Sequence, residues 1–146
     1  MHNFIKLFSS DKIRNHYPLV IFIGYVILSS SLLIFHPYIM ANTETDGISY
    51  LKRAANLWEI NRFHGPGYSW AIAFVKIFGL KDVIAAKIIS LISGLIILII
   101  TWKILNKIQA KYSLYTLAIL AINPTFLVES VMCMSDMLAS AFFIFA

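Results

Sequence analysis

The sequence predicts an all-α integral membrane protein, and three observations lead there. Of its 146 residues 60% are hydrophobic and 13% charged, with a mean hydropathy of +0.79, well away from the balance of an ordinary soluble domain. The apolar residues come in runs long enough to cross a bilayer, which takes about 20 residues per helix. Charged residues gather mainly between those runs. The length therefore suits about three to four transmembrane helices and an outer loop carrying juxtamembrane amphipathic helices.

The first span is expected over 17–38, after Lys6, Lys12 and Arg14. It is too long for a signal-peptide core and no small-residue cleavage site closes it, so it reads as a retained helix. The outer loop, 41–82, holds Glu44, Asp46, Lys52, Arg53, Glu59, Arg62 and His64, which hydrocarbon would not accept. Inside it Ile48, Leu51, Ala55 and Trp58 recur at helical spacing with Lys52, Arg53, Asn56 and Glu59 between them. That pattern predicts a surface helix over 47–61. After the breaker His64-Gly65-Pro66-Gly67, the segment 68–80 is apolar but interrupted by Lys76 and too short to cross, so it reads as a second juxtamembrane helix.

The next crossing is expected over 83–105, with Lys103, Lys107 and Lys111 after its apolar run 95–100 and no acid nearby. A third spans 112–128, with Pro124 kinking it or marking its outer end. Apolar residues resume at 136 and stop at 146, too few for a crossing. Residues 1–146 are thus expected to be a single N-terminal transmembrane portion of a larger membrane domain.

The net charge of +5 comes from twelve basic residues scattered between apolar segments, without the basic patch or RNA-binding motif of a nucleic-acid partner. Membrane lipid is the partner they imply. The single Cys133 excludes an intrachain disulfide, and the four histidines fall at span edges or in loops, so neither suggests a metal constellation. No phosphate-cradling glycine loop and no Gly-x-Ser-x-Gly elbow occur.

Carboxylates beside a membrane are costly, which singles out Asp46, Glu129 and Asp136. Asp46 opens the surface helix, where the backbone N–H groups also suit a plain N-cap. Glu129 and Asp136 would share a face about 10 Å apart on one continuous helix, a geometry lost if a turn intervenes. Ser135-Asp136 before an apolar run again fits a cap, and Glu129 fits a solvated loop acid.

The stretch Asp46-Gly-Ile-Ser-Tyr50-Leu-Lys-Arg53-Ala-Ala-Asn56-Leu57 resembles the first outer loop of the multi-pass glycosyltransferases with the GT-C fold, such as the dolichyl-phosphate-mannose protein mannosyltransferases and the lipid A aminoarabinose transferases. His64-Gly-Pro66-Gly-Tyr68 and Phe74-Val-Lys76-Ile-Phe78-Gly79 resemble the Arg-Pro-Pro-x-Tyr and Leu-Phe-Gly segments of that family. Ala86-Lys87 to Gly94, Asn123-Pro124 and Ser135-Asp136-Met-Leu-Ala139 resemble its second helix and its Ser-Pro and Thr-Asp-Ala-Leu signatures.

The resemblance implies transfer of a sugar from a polyprenyl-phosphate donor to an acceptor on the outer face of the cytoplasmic membrane. It places Asp46 as catalytic base or acceptor-organising acid and Asp136, His64 and Tyr68 as substrate-binding residues, and leaves a divalent metal open as cofactor; Arg53, Arg62 or Lys52 would meet the departing phosphate as substrate-binding cations. The chain departs from the pattern at Gly47, where many members carry a second acid, and at His64, where arginine is usual. The other reading, from a different class, is a small non-enzymatic multi-pass subunit serving assembly, flippase-like movement or transport. The sugar, the acceptor and the oligomeric state have no sequence signature.

The basic N-terminal segment and the lysine cluster after the second crossing both mark the cytoplasm, which puts the N-terminus inside and 41–82 outside. In a chain freed of Cys133, a cysteine introduced at Asn42 or Asn61 is expected to react with an impermeant maleimide on intact cells. Labelling confined to Asn106 or Gln109 would reverse the orientation.

Overall fold

The computed structural model describes residues 11–35, 45–56 and 66–145, apart from the side chains of residues 11–15, 45, 46 and 111. Among the described residues the chain is helical throughout, without strands. The helices are α1 (Asp11–Phe35), α2 (Thr45–Ala55), α3 (Pro66–Lys76), α4 (Asp82–Ile122), α5 (Pro124–Glu129) and α6 (Asp136–Phe145).

Two stretches, His16–Phe35 and Asp82–Ala110, are long and apolar enough to cross a membrane. The segments expected as a third and an incomplete fourth crossing, 112–128 and 136–146, hold the shorter apolar helices Tyr112–Ile122 and Asp136–Phe145. Pro18 sits inside α1, in the first turn of its apolar section, and 36–38 lie outside the described residues.

The two arms of α4 meet at Gln109, whose φ of −146° and ψ of 76° are not helical. On an unbroken helix Leu98 and Leu117 would stand about 28 Å apart. Both instead pack in one cluster with Tyr25 and Ala121, so the chain reverses at Gln109 and the second arm returns along the first. Ser113 sits just past the reversal and donates its hydroxyl to the Ala110 carbonyl at 2.9 Å. The first arm thus continues past its expected end at 105, through Lys107, and turns where neither Gly nor Pro announces it.

After Asn123, whose Oδ1 accepts from the Phe126 N–H at 3.1 Å, Pro124 starts α5 as a first-turn proline can. The turn 130–135 then lies beside the first arm of α4, since Ser90 Oγ donates to the Met132 carbonyl at 2.8 Å. Glu129 and Asp136 are therefore separated by a turn, and the single-helix face expected for them does not form.

The surface helix exists as α2, but the face it buries is rotated by about 70° from the expected stripe. Gly47, Tyr50 and Ala54 are buried, whereas Ile48 and Ala55 are exposed; Trp58 lies outside the described residues. The reason is the partner: the α2 face carrying the tyrosine packs on α3 and the 130–135 turn. α3 starts at Pro66 and ends at Lys76, and the turn that follows closes at Gly79, whose φ of +80° suits a residue without Cβ. A Lys76–Asp82 ion pair at 2.8 Å spans the turn to α4, half exposed and so of modest value.

Gly94, in the first arm of α4, is where α1, the 130–135 turn and α6 converge. A Cβ there would collide with the Tyr25 hydroxyl and come within 2.8 Å of Ser130 Oγ and 2.9 Å of Met137 Cε. Glycine in a helix interior costs roughly 1 kcal/mol against alanine. Here the cost is offset by the close approach it permits. Gly94→Val should destabilise the bundle by about 1–3 kcal/mol through overpacking, measured as a lower midpoint of thermal unfolding in detergent, whereas Gly24→Val, with no atom within 4 Å of the added Cβ, should not share that penalty.

Candidate functional site

Four elements are stitched together at the Asp82 end of the bundle. Ser69 Oγ on α3 donates to the Tyr50 carbonyl of α2 at 3.2 Å, and the Tyr50 and Tyr68 rings meet edge to face at 5.1 Å between centroids. Tyr68 OH lies 3.1 Å from the Ala86 carbonyl and 3.0 Å from Ser90 Oγ on α4. Tyr68 donates its proton to the Ala86 carbonyl, and Ser90 donates to the Met132 carbonyl at 2.8 Å while its oxygen stands beside the Tyr68 hydroxyl. The 130–135 turn closes the circuit onto α2: Ser135 Oγ is 2.8 Å from Tyr50 OH, and Cys133 Sγ is 4.0 Å from the Gly47 carbonyl.

Gly47 explains its own identity. A Cβ at this position would stand 3.0 Å from the Cys133 carbonyl oxygen and 3.9 Å from Cys133 Sγ. A carboxylate side chain in place of Gly47 would have to enter the space that Cys133 fills. The missing Cβ at Gly47 thus lets α2 and the turn approach closely.

The residues named from the sequence fall differently. Asp46 lies in the first turn of α2, next to Gly47, so its backbone stands beside the 130–135 turn; its side chain is outside the described residues. Asp136 opens α6, is exposed, and directly follows Ser135, which holds Tyr50. These two acids, far apart in sequence, therefore begin helices at one end of the bundle. Arg53 is half-buried on α2, and His64 lies outside the described residues.

Tyr68 is 2% exposed, with its hydroxyl engaged by α4, so it helps to hold α3 in place. Burial pushes its phenol well above the ordinary range.

Sequence reasoning missed two participants. Lys87 is buried, 3% exposed, one turn from the start of the first arm and close enough for its charge to act on Cys133. An ionisable residue inside an apolar span is itself the signal that could have singled it out. Ser90, one helical turn on, gave no such signal, because a lone serine in an apolar run is unremarkable until its partners are known. Among the described residues no three His, Cys, Asp or Glu side chains group as metal ligands.

Compared with known protein families, with curated proteins and with solved structures, the chain matches none.

Burial pushes the Cys133 thiol up to about 11, against the smaller opposing effects of Tyr68 and Lys87. The group stays a neutral thiol at physiological pH, and its raised folded-state pKa means that stability falls as pH rises from about 9 towards about 11. Alkylation of Cys133 in the folded protein should be slow at pH 8 and accelerate only towards about 11, whereas the denatured chain reacts readily at pH 9. Fast alkylation of folded protein at pH 8 would contradict the burial.

Proposed function

We propose that this chain acts in a membrane glycosyltransferase of the GT-C kind, using a polyprenyl-phosphate sugar on the outer side of the cytoplasmic membrane. The membrane placement is supported by α1, of whose most apolar window only 17% is buried inside the bundle. The core helix of a soluble domain hides its apolar surface, whereas α1 leaves Leu19, Val20, Ile23, Ile27 and Phe35 exposed, which suits lipid.

The observation that carries the enzymatic reading is the join between α2 and the 130–135 turn. It brings the helix starts at Asp46 and Asp136 to the same end of the bundle, where a water-edge carboxylate can meet a headgroup. In the proposed reaction Asp46 takes the proton from the acceptor hydroxyl or amine as its oxygen or nitrogen attacks the anomeric carbon. The bond from that carbon to the phosphate oxygen breaks, and the departing polyprenyl phosphate is met by the cations of Lys52 and Arg53. No metal enters this scheme. Asp136 binds substrate from the facing helix start.

The second reading is a non-enzymatic membrane subunit. It is favoured by the completeness of the hydrogen-bonded circuit, which a structural join needs as much as an active site does.

The two part company at Asp46. Asparagine caps a helix about as well as aspartate but cannot accept the proton. In membranes carrying the complete reading frame at matched protein levels, Asp46→Asn should lower sugar transfer about 100-fold or more, read as radiolabelled sugar moved from polyprenyl phosphate. Near-normal transfer would remove Asp46 from the chemistry, and absence of transfer by the unaltered protein would favour the subunit.

A further inference from the structure

At the other end of the bundle a groove of about 440 Å³ runs between the first arm of α4 and α6. Its walls include Ile96, Ile99, Ile100, Phe142 and Phe145, and the charged group among its lining residues is Lys103. We propose that this groove seats an acyl chain of an anionic phospholipid, with the lipid phosphate held at Lys103. The proposal rests on the membrane placement above and is independent of sugar transfer.

Three observations choose this occupant. The first is depth. Lys103 stands about 31 Å along α4 from Asp82, about the thickness of the hydrocarbon core, so with Asp82 at one interface Lys103 reaches the headgroups of the other. The second is charge. Lys107, one turn further on and also exposed, extends the cationic edge along the same face, and basic residues at this level attract anionic lipid. The third is the shape of the walls. Helices that pack against each other in lipid favour small residues at the contact, whereas this lining has one small side chain, Ala141, among Ile96, Ile99, Leu138, Phe142 and Phe145, which are large and keep a second backbone away. A flexible acyl chain fits between large side chains where a helix cannot.

Photo-crosslinking in vesicles of equal parts phosphatidylcholine and phosphatidylglycerol tests this with the full chain. Phe145 is replaced by p-benzoylphenylalanine, and, as a control facing lipid elsewhere, Ile23 on α1 is replaced in a separate chain; adducts are identified by mass. Phosphatidylglycerol adducts at 145 should exceed phosphatidylcholine adducts by about fivefold, with no such preference at 23, and Lys103→Gln should remove the preference at 145 while leaving lipid adducts there. Equal adducts of both lipids at 145 in the unaltered chain would overturn the proposal. So would adducts at 145 to protein, which would assign the groove to a second copy or to another helix. Lipid adducts missing at 23 as well as at 145 would sink the membrane placement together with the proposal.

Discussion

The close approach at Gly94 is the constraint on which the rest of the bundle depends. Tyr25 of α1 is fully buried and reaches the Leu91 carbonyl at 3.3 Å, because Gly94 leaves room for its ring and hydroxyl. The same missing Cβ admits Ser130 and Met137, so the height at which the returning arm ends is fixed here as well. Once Ser130 is seated, Met132 falls beside Ser90 and Cys133 beside Gly47. Two glycines, one on α4 and one on α2, thus set the positions of elements that carry all the polar chemistry.

That chemistry is segregated by end. Near Asp82, hydroxyls and carbonyls from α2, α3, α4 and the 130–135 turn satisfy one another, which matters because an unpaired polar group away from water costs about as much as several good hydrogen bonds return. An isolated helix as short as α2 is marginal in water. Its order therefore derives from this circuit and from the Tyr50–Tyr68 contact, and with it the place of Asp46 at the helix start. Near Gln109 the arrangement is the reverse: lysines at the edge of apolar walls, with the Trp102 ring against Phe22 closing the α1 side.

The polar end also shows why a single residue type does not declare its task. Tyr50 and Tyr68 both stand in loop-derived helices and both are buried, yet neither is available to a ligand in solution, since one is held by Ser135 and the other by Ala86 and Ser90. Lys87 and Cys133 sit beside them, and burial dominates over their mutual attraction at the thiol. The exposed member of the set is Asp136, which shares the end of the bundle with Asp46 without being closed off by the circuit.

The sequence by itself determined the helices where composition changes abruptly: α1 and the first arm of α4 from apolar length, and a short apolar helix after the breaker 64–67, though not the ends of these helices. It also carried Asp46 as a helix-starting acid. Only the tertiary structure decided which stripe of α2 is buried, because Ile48-Leu51-Ala55 and Gly47-Tyr50-Leu51-Ala54 are adjacent stripes of the same helix. A 3.6-residue period declares that a face exists and not which neighbour it meets. The same holds for the hydrogen bonds that tie Tyr68 to α4, for the turn that parts Glu129 from Asp136, and for the glycine contacts at 47 and 94. Each depends on a partner 18 to 86 residues away, and periodicity and local propensity carry no information across such separations, whereas excluded volume and hydrogen-bond satisfaction act only once the chain is folded.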